Sequence, residues 1–125
     1  MNLRQGFLVL TAVGLVPIAL GYGAAPQQSL EHLFAVSVQN VNGTHIFRAI
    51  MGLYLALAAF WIFGAYKADL RQPALYSLVV FMFGLAAGRL LSLVVDGVPH
   101  WLLLAYLALE LAIGSVGLLL LKRQD

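Results

Sequence analysis

The chain has 125 residues, 62% of them hydrophobic and 10% charged, against roughly 25% charged in an ordinary soluble domain. So few polar side chains cannot clothe a water-soluble globule of this size, and lipid must cover the apolar remainder. The net charge of +2 comes from Lys and Arg scattered along the chain, which leaves no basic face for nucleic acid; with no cysteine, disulfides, thiolate nucleophiles and sulfur-ligated metals are excluded as well.

A hydrocarbon core of about 30 Å takes roughly 20 apolar helical residues, and four runs approach that length. The first extends from about Phe7 to Tyr22 and contains Pro17, which is expected to bend a retained helix whose freed carbonyl a neighbour satisfies. Its short basic start and Gly23-Ala24-Ala25 also resemble a secretory cleavage region, against which Pro26 argues. The segment from Gly23 to Thr44 is too polar to span. Leu30, Leu33, Phe34 and Val38 fall at helical spacing and predict a short amphipathic helix at the interface, either a lid or a plain connector. Asn42-Gly43-Thr44 is expected to break the chain, with Thr44 as the N-cap of the second span, about Ile46 to Tyr66.

Lys67 and Arg71 precede the third span, about Pro73 to Val95. A tight Asp96-Gly97-Val98-Pro99-His100 turn leads into the fourth, about Trp101 to Leu121, which Lys122 and Arg123 follow. Because cytoplasmic loops retain Lys and Arg, both termini and the middle loop are expected in the cytoplasm, and the 23–45 and 96–100 segments on the far side. Tyr22 and Trp101 would mark the far interface, and Trp61, Tyr66 and Tyr76 the cytoplasmic one. The expectation is an all-α, integral membrane four-helix bundle, one domain over residues 1–125, with a short far-side interfacial helix.

Arg48, Arg89 and Glu110 lie inside predicted spans. A lone charge at mid-membrane costs about 2.5 to 3.5 kcal/mol, so these groups should meet each other or a ligand. At about 1.5 Å per residue from the far-side helix ends, Arg48 lies about 3 Å deep, Arg89 about 9 Å and Glu110 about 14 Å. Arg89 and Glu110 sit on helices joined by a tight turn and are expected to pair. Arg48 is nearer Asp96, His45 and His100, and either pairs with Asp96 or stays open to water and headgroups. Arg89, Ser92 and Asp96 share a helix face, as do Tyr106 and Glu110.

Several readings of this constellation stand at this point. The charges neutralise one another and lock the bundle; or the two arginines form a cationic pocket for a phosphate, carboxylate or polar lipid head; or Glu110 relays protons. His45 and His100 lack a third ligand for a metal, and no cofactor is expected. Gly84-x-x-x-Gly88, Gly52-x-x-x-Ala56 and Ala108-x-x-x-Ala112 predict close helix packing, chiefly within the bundle, with a homo-oligomer or partner membrane subunit as the other outlet.

Arg48-Ala-x-Met-Gly52-Leu-Tyr-Leu-Ala-Leu-Ala, Gly88-Arg89-Leu-Leu-Ser92 followed by Asp96-Gly97-x-Pro99, and Glu110 resemble a bacterial family of four-helix inner-membrane proteins built on a domain of unknown function. In size and layout the chain is similar to the wider DoxX-like group. The resemblance picks out Arg48, Gly52, Arg89, Ser92, Asp96, Gly97, Pro99 and Glu110 and implies fold, topology and a bacterial inner membrane, but no chemistry. The expected function is a non-catalytic membrane module whose Arg48, Arg89, Asp96 and Glu110 network binds an anionic lipid or small molecule or serves a partner subunit. The rival is a small transporter or membrane-embedded enzyme titrating Glu110.

Overall fold

The computed structural model describes residues 2–123. Asn2 opens α1 (Leu3–Gly23): its side chain accepts from the Gln5 backbone while the Gln5 side chain accepts from the Asn2 N–H, a reciprocal capping box. The helix runs on through Pro17. Helix α2 (Pro26–Phe34) starts on a proline already fixed at a helical φ. It ends at Ala35, which adopts the left-handed conformation (φ 58°), and the Val36 N–H closes back on the Leu30 carbonyl at 3.1 Å. Its buried residues Pro26, Leu30 and Phe34 form one stripe.

Helix α3 (Val41–Tyr66) begins several residues before the expected span. Asn40, in extended conformation, is the N-cap; its side chain accepts from the Gly43 N–H at 2.8 Å and its carbonyl from the Thr44 hydroxyl at 3.2 Å. Asn42-Gly43-Thr44 is thus the first turn of the helix and not a break, since the earlier asparagine satisfies the orphan donors first. Lys67 alone makes the corner between α3 and α4 (Ala68–Val95). Pro73 therefore lies in the second turn of α4 and not at its start. Gly97 turns the chain at φ 107°, a conformation closed to most side chains, before α5 (Trp101–Lys122).

Helices α1, α3, α4 and α5 are long and apolar enough to cross a membrane; at about 1.5 Å per residue they measure about 31 to 42 Å. They alternate in direction. The start of α1 lies beside the end of α3, where Gln5 Nε2 donates to the Ala65 carbonyl at 3.0 Å, and beside the start of α4, where Arg4 Nη1 donates to Gln72 Oε1 at 3.1 Å. Arg4 also donates to the Arg123 carbonyl beyond α5. This is the basic end; α2 and the 96–100 turn mark the distal end.

Helix α1 packs along α3, α3 against α4 and α4 against α5, whereas α1 meets α5 only sparsely. Leu8, Ala12, Leu15 and Ala19 of α1 meet Ala58, Trp61 and Ala65 of α3 and Leu75, Leu78 and Met82 of α4 in one core. Glycines set the close approaches. A Cβ on Gly23 would collide with Met51, one on Gly64 with Ala74, and one on Gly117 would come within 2.8 Å of Val79. Gly52, Gly84 and Gly88 have open space where a Cβ would stand, and Ala56, Ala108 and Ala112 are exposed, so none of the three spacings read as packing motifs sits at a close helix contact.

Trp61 is fully buried and donates from Nε1 to Ser77 Oγ at 3.0 Å. Tyr22 is buried too, so neither belongs to an interfacial belt. Tyr66, Tyr76 and Trp101 are exposed, as an interfacial anchor would be.

Candidate functional site

Arg89 on α4 and Glu110 on α5 come together in the distal half of the bundle because the tight turn after Gly97 holds their helices in register. Arg89 Nε donates to both carboxylate oxygens of Glu110, each at 3.0 Å. Glu110 is 6% exposed and the Arg89 side chain 22%, so the pair is largely out of solvent. One charge-assisted donor bridging two oxygens is a strong contact, and it is the pairing that depth along the helices predicts.

Aromatic side chains surround the pair. Arg89 Nη2 donates to the Tyr22 hydroxyl at 3.3 Å, and the guanidinium carbon lies 5.8 Å from the Tyr106 ring centre, within cation–π range. Phe34 of α2 stacks on Tyr22 at 5.4 Å and meets Tyr106 edge-on at 5.7 Å. Tyr54 stands edge-on to Tyr22 at 5.6 Å and to Phe81 at 5.1 Å. These rings rest on all five helices, so the fold as a whole positions them.

Below the pair runs a crevice of about 310 Å³ between α1 and α5, floored by α3 and α4. Arg89, Glu110, Tyr54 and Tyr106 line it with Thr11, Gly14, Leu85 and Ile113, and Leu10 and Leu109 form its exposed lips. Apart from the ionic pair, the tyrosines and Thr11, the lining is apolar. A cleft with a few convergent polar groups on apolar walls is the usual form of a small-molecule site.

The remaining candidates lie elsewhere. Arg48 is exposed and donates from Nη1 to the Gly23 carbonyl at 3.1 Å, at the end of α1 where carbonyls lack helical partners. With His45, Gln27, Gln39 and Asn40 it lines a separate, open cavity of about 820 Å³ at the distal end. The two arginines therefore do not share one cationic pocket. Asp96 does not meet Arg48; it accepts from the Ser92 hydroxyl at 2.6 Å. His100 caps α5, its Nδ1 accepting from the Leu102 N–H at 3.2 Å. Among the described residues no group of three His, Asp or Glu side chains is placed to hold a metal.

Sequence reasoning missed Tyr22, Tyr54 and Thr11 as site residues. The level of Tyr22, at the distal end of α1 and so beside Arg89, carried the signal. Its type did not, because interfacial and buried tyrosines look alike in a sequence.

Fold and composition together define a multi-pass helical membrane protein with an ion pair set at the head of a lateral crevice. The chain belongs to the family described as Domain of unknown function (DUF4345), whose model matches residues 3–121. No curated protein and no solved structure matches it.

Proposed function

We propose that this protein is a non-catalytic binding module of a bacterial inner membrane, basic end in the cytoplasm, which holds an amphipathic, membrane-soluble molecule in the crevice between α1 and α5. The observation that carries the reading is the Arg89–Glu110 pair, which closes one end of a crevice otherwise lined with apolar side chains. Glu110 accepts from Nε alone among the guanidinium nitrogens, and Arg89 Nη1 donates to no protein group among the described residues. Donors and acceptors therefore remain for a head group, while the walls suit its chain.

Transport or catalysis centred on Glu110 fits less well. Its carboxylate is engaged by Arg89, and the one other acid within the four long helices, Asp69, lies in the first turn of α4 at the basic end, too far away to continue a proton path.

Native mass spectra of the intact protein, released from gently solubilised membranes, test this. The wild type should carry a small molecule beyond its phospholipid shell, and an Arg89→Met/Glu110→Leu double variant, in which no charge is orphaned, should lose it while remaining folded. The same adducts on both proteins would refute the reading.

A further inference from the structure

We infer that the occupant of this crevice is an uncharged amphiphile with a hydroxyl head, and that it reaches the site sideways from the bilayer through the α1–α5 seam. The inference rests on the preceding reading that the crevice holds a ligand, and adds the chemistry of the head and the route.

The route follows from what is closed. Helix α2 lies across the distal end, with Leu30 and Phe34 buried and Val38 buried just beyond it. Phe34 bridges Tyr22 of α1 and Tyr106 of α5 directly at the level of the pair, so aromatic side chains cover the pair under α2; a second cavity of about 360 Å³ on the α4–α5 side reaches Arg89 from the Gly97–Pro99 turn but is not lined by Glu110 or the tyrosines. At the basic end Phe7 approaches Gly117 and Arg4 reaches the Arg123 carbonyl, which pins α1 to the end of α5. Between these two closures the seam is lined by Gly14 and by the exposed Leu10 and Leu109. That stretch faces the level of hydrocarbon, and a molecule dissolved there needs no water-filled path.

The head follows from charge balance. Arg89 and Glu110 neutralise each other; an anion beside Arg89 would sit against the Glu110 carboxylate, and a cation beside Glu110 against the guanidinium, in surroundings that screen neither. A hydroxyl adds no charge. It accepts from Arg89 Nη1 and donates to a Glu110 oxygen, the two functions left unspent. The space sets the length. At about 30 Å³ per water-sized group, 310 Å³ admits roughly ten heavy atoms, a head and the start of a chain whose remainder lies in the bilayer along Leu10 and Leu109.

Three diazirine-bearing probes of equal chain length, dodecanol, dodecanoate and dodecyltrimethylammonium, test the inference on the full-length protein in nanodiscs, with labelled residues mapped by mass spectrometry. The alcohol should label the Leu10, Gly14, Leu109 and Ile113 neighbourhood about tenfold more than either charged probe. Gly14→Leu should suppress that labelling. A Cβ at Gly14 meets nothing within 4 Å, so the variant fills the mouth of the crevice without disturbing the core. Gly52→Leu, at an equally open site that lines neither this crevice nor the other cavity beside Arg89, should leave labelling unchanged. Equal or stronger labelling by dodecanoate or by the ammonium probe overturns the uncharged head and leaves the binding reading intact. Undiminished labelling in Gly14→Leu overturns the lateral route. Absence of crevice labelling by all three probes overturns the binding reading itself.

Discussion

Removing the two charges one at a time and then together measures what the Arg89–Glu110 pair contributes. In Glu110→Leu the guanidinium loses its counterion, yet Arg89 lies about 9 Å from the distal end of its helix, its side chain is 22% exposed, and it keeps the Tyr22 hydroxyl. A long side chain at that depth can bend toward the interface, so the loss should be about 2 kcal/mol, below the full mid-membrane cost. In Arg89→Met the orphan is Glu110, 6% exposed, about 14 Å deep and too short to reach the interface. That loss should be about 3 kcal/mol. The double variant Arg89→Met/Glu110→Leu buries no charge and should lose only about 2 kcal/mol, chiefly through the Tyr22 contact and imperfect packing, which implies a coupling of about 3 kcal/mol. Reversible unfolding by SDS titration reads these differences, with Trp61 in the core as a fluorescent reporter. A double variant as damaged as its two singles combined, or Glu110→Leu worse than Arg89→Met, would show that the groups are not held as described.

Gly64→Ala should destabilise by about 2 kcal/mol, since its methyl meets Ala74 and the Leu70 carbonyl, whereas Gly84→Ala and Gly88→Ala, facing open space, should be neutral or stabilising by up to about 1 kcal/mol. The same SDS titration separates them, and equal effects at all three would contradict the assigned helix rotations. Ala35→Gly should stabilise by about 1 kcal/mol by relieving the left-handed backbone at the end of α2; a loss there would mean that Ala35 does not hold this conformation. Ser77→Ala should cost about 1 to 2 kcal/mol by leaving the buried Trp61 indole N–H without its acceptor. In a Trp61→Phe background the same change should cost little, and an undiminished cost would exclude that hydrogen bond as the cause.

Distance along a helix axis was readable from the sequence, and rotation about that axis was not. Hydropathy located the four long helices, although α3 and α4 begin at Val41 and Ala68, ahead of the expected Ile46 and Pro73, and counting residues from the distal ends matched Arg89 to Glu110, because depth accumulates by a fixed rise whatever the packing. Which way a residue faces depends on a neighbour far along the chain. Gly64 and Gly84 look equally suited to close approach, yet only Gly64 meets another helix. Tyr22 and Trp61 have the types that anchor at interfaces, yet they are buried because a partner helix brings Arg89 to one and Ser77 to the other. The same limit hid the division between Arg48 and Arg89, which share the distal half of the bundle but line different cavities.

The position of the ion pair bears on whether it serves only to hold the bundle together. Helices α4 and α5 are joined by the short 96–100 turn and packed closely where Gly114 and Gly117 admit Phe83 and Val79. A salt bridge between them reinforces a contact that is already extensive. The weak junction is α1 with α5, and no ion pair crosses it within the spans among the described residues; Tyr22 alone extends a hydroxyl from α1 to Arg89. Much of what such a pair gains by Coulomb attraction is offset by its desolvation, so a bundle seeking only stability gains little by placing it on a seam that is already well packed. Set there, the two charges stand on a rigid pair of helices and border the loosest gap, the arrangement that recognition of a ligand requires.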